Sequence, residues 1–416
     1  MRVPIGTPLA VDTPGRTEYL RPMRFEDLIA PLSTEAFLRD HYGKRPLHSP
    51  AVEPASRNLI GWIRLNELLG LRSHWSEANI KLILNGAPIA ADHYIESVAT
   101  LGGTERRANP AKLDVFLQMG ASLVAEAVHE ISPEVRAVAA SLSEQFAGRA
   151  EANAYCSFKG IQAFASHFDL HEVFAIQCEG EKLWNLYENR AEAPIEPLRG
   201  DNAQAIIDSA KGRVAMQVRM RPGDMLYIPR GFYHDALASS GASLHVTFSV
   251  TPLNGRVLFR MLEEEAILDP AFREYLPDAR KAGGRDTAER LASLGERIAR
   301  ILTSRGFAAE LGNRQGQLVE RNTAFVLPGR RRLDFYARTR QPVELRREGD
   351  SLLLRSAGRS LSIESAAKAA EWILDQAGFS LQQLTASFPY FDEAELKGLV
   401  QSLERLGILF AYEPEV

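Results

Sequence analysis

Cysteine is scarce: Cys156 and Cys178 are the only two in a chain of 416 residues. Two thiols cannot build a disulfide framework, so a packed core must hold the fold, and the chain suits a reducing compartment such as the cytoplasm. Both cysteines read as small buried strand residues. Long apolar runs are missing as well. No stretch approaches 18 apolar residues and the N-terminus lacks an apolar segment behind its first charges, which argues against a membrane span and a secretory signal. Nor is there an excess of positive charge. The formal net charge is −4, so no global field draws the chain to nucleic acid or to an anionic membrane. What remains is ordinary globular material, 45% hydrophobic and 25% charged, at a length that suits two or three domains with a sizeable core.

The stretch from Asn153 to Tyr187 concentrates the chemistry. At its centre stands His167-Phe168-Asp169. Residues i and i+2 share a strand face, so one imidazole and one carboxylate point together from a strand end. A neutral imidazole plus one carboxylate suits a redox-active divalent metal, and one more histidine completes a facial triad with open positions. Alone, His-x-Asp is weak, because 9 His and 53 acidic residues produce such tripeptides by chance.

The flanking pattern strengthens it. Glu172–Cys178 is an apolar strand, Glu179-Gly180 a tight turn and Lys182–Tyr187 a second strand. Pro222-Gly223-Asp224 opens a short strand, Pro229-Arg230-Gly231 closes it, and His234 follows; Ser243–Ser249 then alternates as a further strand. Short strands between Gly/Pro turns, with ligands at strand ends, describe a double-stranded β-helix, a relative of the jelly roll.

Taken in order, Asn153-x-Tyr155, His167-x-Asp169, Glu172-Val-Phe174, Glu179-Gly-Glu-Lys182-x-Trp184, Pro222-Gly-Asp224, Tyr227-Ile-Pro229, Gly231, His234 and His245-Val-Thr-x-Ser249 resemble the JmjC-type, 2-oxoglutarate-dependent ribosomal oxygenases, a cupin-like family. The likeness is close over roughly residues 20–260. It implies that His167, Asp169 and His234 hold Fe(II), and that Lys182 takes the distal carboxylate of 2-oxoglutarate. It further implies that Asn153 and Ser249, ahead of Tyr155, donate hydrogen bonds to that co-substrate. The implied chemistry is oxidative decarboxylation to succinate, a ferryl intermediate and hydroxylation of a histidine or arginine side chain in a ribosomal protein. His245 would be buried beside the metal or face the substrate, and His171 is a rival ligand.

Along the chain, residues 1–22 read as an extended arm and Ser33–Tyr42 as a helix capped by Ser33 or Thr34. Asn79–Leu84 reads as a strand and Asn85-Gly86 as a hairpin turn. Pro110–Gly120 reads as strand and turn, and the apolar spacing of Ala121–Phe146 as two helices broken near Ser132-Pro133. The barrel runs from about Asn153 to Thr251, with Ala191–Gly212 a polar insertion rimming its mouth. Leu258–Ala266, Ala271–Tyr275 and Thr287–Thr303 are helical, and Leu291, Leu294, Ile298, Ile301 and Leu302 share one face of the last. The resemblance makes this a dimerisation region. Beyond it, Val343–Leu345, Ser351–Arg355 and Ser360–Ile363 read as strands; Glu364–Ala377, Ser380–Ser387 and Asp392–Leu406 as helices; and Ile408–Tyr412 as a closing strand.

The expected architecture is therefore α+β: an arm (1–22), a JmjC/cupin catalytic domain (23–255), a helical dimerisation region (256–310) and a C-terminal winged-helix-like domain (311–416). From 361 to 416 three basic residues face nine acidic ones. Phosphate repulsion opposes groove binding by such a helix set, so packing or peptide docking is the better role than nucleic-acid binding. The leading expectation is a protein or peptide hydroxylase acting as a homodimer. Alternatives are an oxygenase tailoring a ribosomally made peptide docked by the C-terminal domain, a small-molecule hydroxylase, and a catalytically silent scaffold.

Overall fold

The computed structural model describes residues 22–53, 57–158, 165–319, 333–348 and 351–412. Apart from Pro22, the expected arm lies outside them.

An antiparallel sheet of nine strands dominates the first half. Its order is Leu47–Ser49, Met225–Ile228, Glu172–Arg190, Phe232–Pro252, Gly148–Phe158, Ser122–Ala125, Ile80–Leu84 and Ala87–Pro88, with Val214–Met220 added to Glu172–Arg190. Two of these strands, 19 and 21 residues long, are too long to lie flat. They bend together: Gly180 sits at φ +65°, and the pairing slips between Ala238 and His245. At Gly180 a Cβ would run into the Ala242 carbonyl, so only glycine serves. Bending closes the sheet over itself and brings the Trp184 and His245 rings, on different limbs, to 5.5 Å.

Strand alternation then sorts the two faces. Leu244, Val246, Phe248 and Val250 point outward into the main core, against Val135, Val138 and Leu142 of the Pro133–Phe146 helix and against Phe25, Phe37 and Phe174. The intervening residues His245, Thr247 and Ser249 take the other face. Val173, Ala175, Trp184 and Leu186 form a smaller apolar cluster.

Two expectations are corrected here. Pro110–Gln118 is a helix, not strand and turn: Asn109 accepts hydrogen bonds from the Ala111 and Lys112 amides, and proline opens the first turn without losing a bond. The first of the two expected helices within Ala121–Phe146 is absent. Ser122–Ala125 is a strand between Ile80–Leu84 and Gly148–Phe158, and only Pro133–Phe146 is a full helix. All four strand residues are buried, so the alternation that marks a half-exposed strand never arises. The Ser33 cap and the Asn85-Gly86 turn stand as expected, with Asn85 and Gly86 at positive φ. Cys156 and Cys178 are buried free thiols.

The helices Arg256–Ala266, Arg285–Leu302 and Arg305–Leu318 follow the sheet. The last of them runs across residue 310, where the domain boundary was expected. Residues 335–412 build a second core around Ile373, Leu384, Leu396, Val400 and Leu403. It carries two three-stranded sheets: Phe335–Arg338 between Gly378–Ser380 and Leu409–Tyr412, and Glu344–Glu348, Ser351–Ser356, Arg359–Ile363 in that order. Its last two helices start at capping boxes, Ser380 with Gln383 and Asp392 with Glu395. No described helix is long and apolar enough to cross a membrane.

Candidate metal centre

His167 and His234 face each other across an isolated antiparallel bridge, the His167 amide donating to the His234 carbonyl (3.0 Å) and the His234 amide to the His167 carbonyl (2.8 Å). Two residues on, the Asp169 carbonyl accepts from the Gly231 amide at 2.9 Å. These backbone bonds fix where the three side chains start. One ligand atom from each of His167, Asp169 and His234 then lies within 4.8 Å of the others.

Each imidazole has its other nitrogen engaged. His167 Nδ1 donates to the Ala165 carbonyl and His234 Nδ1 to the Phe232 carbonyl, both at 2.9 Å. A carbonyl only accepts, so each Nδ1 carries a proton and Nε2 is the nitrogen left to face the centre. His234 Nε2 stands 3.4 Å from Asp169 Oδ2. Burial pulls the His167 pKa down, and the neighbouring His234 adds to this. For Asp169, burial pushes upward, but the His234 hydrogen bond and the nearby imidazoles prevail and hold the carboxyl below its usual range. For His234, burial pushes downward and is outweighed by the same contact with Asp169. Two imidazoles presenting Nε2 and a carboxylate, on one side of a small space, are a donor set that fits a divalent metal of borderline character.

Deeper in, Lys182 is 6% exposed, and among the described residues no carboxylate pairs with it. Burial pulls its ammonium down to about 8. Its Nζ lies 5.8 Å from the Trp184 ring centroid. Around it, Trp184 Nε1, His245 Nδ1 and Gln177 Oε1 are buried polar atoms with no partner among the described residues. Buried polar groups are costly unless satisfied, so this set fits a small polar anion better than an empty interior. Tyr155 stacks on His245 at 4.9 Å; burial pushes its hydroxyl up to about 12, so it stays a donor at neutral pH. Asn153 engages the hydroxyl of Tyr155 and accepts from the Ala127 amide at 3.1 Å.

Ser249 is placed differently. It shares a strand face with His245 but lies four residues on, about 13 Å along an extended strand. There it pairs with Val173 and Glu151, and no described hydrogen bond or ring contact ties it to the cluster. His171, the rival ligand, stays outside the three-residue group.

Residues 128–258 match the family model described as the JmjC domain. Over that stretch the chain is similar to a JmjC domain. Its sequence is similar to the bifunctional lysine-specific demethylase and histidyl-hydroxylase NO66 of Drosophila persimilis, 30% identical over 53% of this chain and 31% of that protein. Ribosomal oxygenase 1 of Homo sapiens is 30% identical over 55% of this chain and 34% of that protein. The chain thus spans about a third of the length of these curated relatives. Among solved structures, the ribosomal oxygenase YcfD of Escherichia coli, in complex with cobalt and 2-oxoglutarate, is 18% identical and covers 92% of this chain and 99% of its own, with a TM-score of 0.47.

Some polar groups of the matched stretch escape a reading of its motifs. Gln177 is fully buried inside an apolar strand, where a glutamine breaking the hydrophobic run was the available signal. Ser166 and Asp235, each beside one of the two facing histidines in sequence, are buried and bonded to each other at 2.7 Å. Nothing in their spacing announces that bond.

Proposed function

We propose that the chain is an Fe(II)- and 2-oxoglutarate-dependent oxygenase that hydroxylates a side chain of a protein or peptide, a ribosomal protein being the favoured substrate. The observation that carries the reading is the joint presence of the His167, Asp169 and His234 donors and, beyond them, a buried lysine with no carboxylate paired to it among the described residues. In this reading His167 and His234 lend Nε2 and Asp169 a carboxylate oxygen to the metal. Lys182 neutralises the distal carboxylate of the 2-oxo acid, with Tyr155 and Asn153 at hand as hydrogen-bonding groups. Trp184 and His245 wall the space and keep water out. Fe(II), when bound, supplies oxidative decarboxylation of the 2-oxo acid coupled to hydroxylation of a C–H bond. The names of the relatives support a ribosomal substrate.

Anaerobic titration with Fe(II) and 2-oxoglutarate tests this. A weak visible charge-transfer band should form in the wild type, vanish in His234→Ala, and need about 100-fold more 2-oxoglutarate in Lys182→Ala, the loss of one buried charge-assisted pair. Metal binding without a band would leave a plain metal-binding cupin.

We further propose a cytoplasmic homodimer. The Arg285–Leu302 helix has no residue buried within one chain, and Leu291 on its apolar stripe is 55% exposed, which supports a second copy packing there. The three helices and adjoining three-stranded sheet of residues 344–405 support a winged-helix-like unit that docks peptide rather than nucleic acid.

A further inference from the structure

The bridge between His167 and His234 has two sides. On one, the imidazoles converge. On the other, a polar network fastens the two ligand-bearing segments to the mouth insertion. Asp235 is 7% exposed and accepts from Ser166 Oγ (2.7 Å), Tyr187 OH (2.6 Å) and Asn185 Nδ2 (2.9 Å). Lys211 closes the network from the insertion. Its Nζ donates to Ser166 Oγ at 2.9 Å and to Asp208 Oδ1 at 2.7 Å, and lies 4.7 Å from the Tyr187 ring centroid. Gln204, on the insertion's helix Ala203–Ala210, donates to the Ser166 carbonyl at 3.2 Å.

The insertion also holds the other end of the segment. The Ala191 amide donates to the Gly231 carbonyl, and the Gly231 amide to the Asp169 carbonyl, both at 2.9 Å. Gly231 is at φ +87°, and a Cβ there would strike the Ala191 carbonyl, so this close approach requires glycine. Residues 191–211 thus begin and end against the short stretch that carries His167 and Asp169.

We infer that Lys211, acting through Ser166 and Asp235, is a positioning residue that fixes His167 at the metal centre, so that the mouth insertion and the ligand geometry move as one unit. Asp235 is a carboxylate with three neutral donors; Lys211, ion-paired with Asp208, reaches it through the shared Ser166 hydroxyl and as a nearby positive charge. Without that cation Ser166 loses an anchor, and the ligand next to it gains freedom. Groups that orient metal ligands from behind change metal affinity by 10–100-fold when removed. The same linkage gives a peptide bound at the insertion a physical route to the metal centre.

The inference rests on the metal reading, and the test separates the two. Full-length wild type, Lys211→Met, Lys211→Arg and Ser166→Ala are titrated with Co(II) alone, following the visible d–d bands, and the metal-free proteins are melted alongside. Lys211→Met and Ser166→Ala should each weaken Co(II) binding about tenfold and alter the band shape, with the metal-free melting temperature unchanged. Lys211→Arg should restore both, and the double variant should be no worse than either single one. Wild-type affinity and bands in Lys211→Met overturn the inference while wild type still binds Co(II). So do additive losses in the double variant, or losses matched by a drop in metal-free stability. If wild type binds no Co(II), the metal reading fails and takes the inference with it.

Discussion

Lys182 is the residue whose chemistry is most constrained by its surroundings. Burial lowers its pKa from the ordinary 10.5 to about 8. The folded state therefore holds fewer protons than the unfolded state between those values, and stability should rise as pH climbs from 8 towards 10.5. An anionic co-substrate needs the charged form. Its affinity should accordingly be level below pH 8 and fall by up to about tenfold per unit above it, until the bound-state pKa is reached. Equilibrium binding of 2-oxoglutarate to the metal-loaded protein across pH 6.5–9.5 checks this, and a pH-independent affinity in wild type would remove Lys182 from the site. Lys182→Met should bind weakly with no such dependence. Tyr155 titrates far higher, at about 12, and does not confuse the profile.

Among the elements, the bent pair Glu172–Arg190 and Phe232–Pro252 matters most, because it carries Lys182, Trp184, His234 and His245 on one folded surface. The bend depends on Gly180 at positive φ against a backbone carbonyl. Gly180→Ala should cost about 1–3 kcal/mol, read as a shift in the denaturation midpoint, and should open the distance between Trp184 and His245. In the sequence, Glu172–Cys178 and Lys182–Tyr187 read as two strands about a turn, and Ser243–Ser249 as a further one. The structure instead runs Glu172–Arg190 and Phe232–Pro252 each as one bent strand, because Gly180 bends the chain without breaking its pairing. The strand Ser122–Ala125 was not legible in the sequence. A short, wholly buried apolar run has neither period, and only its neighbours on both sides decide that it is a strand.

Over the whole molecule, two cores are joined by charge as well as by chain. Glu265, at the end of the Arg256–Ala266 helix, pairs with both Arg347 and Lys368 of the C-terminal unit, and Arg347 also reaches Glu371 at 3.3 Å. The pairs are partly buried, so removing one partner leaves charge uncompensated. Glu265→Ala should loosen the C-terminal unit and speed proteolysis between the two cores, while metal binding in the barrel stays unchanged. The apolar stripe gives a second expectation at this scale. Leu291→Arg should leave the chain folded but convert the proposed dimer to monomer in light scattering; an unchanged mass would place the subunit contact elsewhere.

The amino-acid sequence by itself determined which residues can be ligands and in what local geometry. A His-x-Asp tripeptide, a histidine behind a Pro-Arg-Gly turn and a lysine two residues before a tryptophan are local patterns, although the structure holds His167 by an isolated bridge to His234 rather than on a strand. The capping box at Asp392 is legible for the same reason. Tertiary structure alone decided which of those residues meet. It drew Tyr155 onto His245 and left Ser249 about 13 Å further along its strand. It joined Ser166 to Asp235 and Lys211 across 69 and 45 residues of chain, and it buried Lys182 with no carboxylate paired to it among the described residues. Such encounters depend on where two long strands bend and on what the closed sheet excludes from water, and no short-range pattern encodes either.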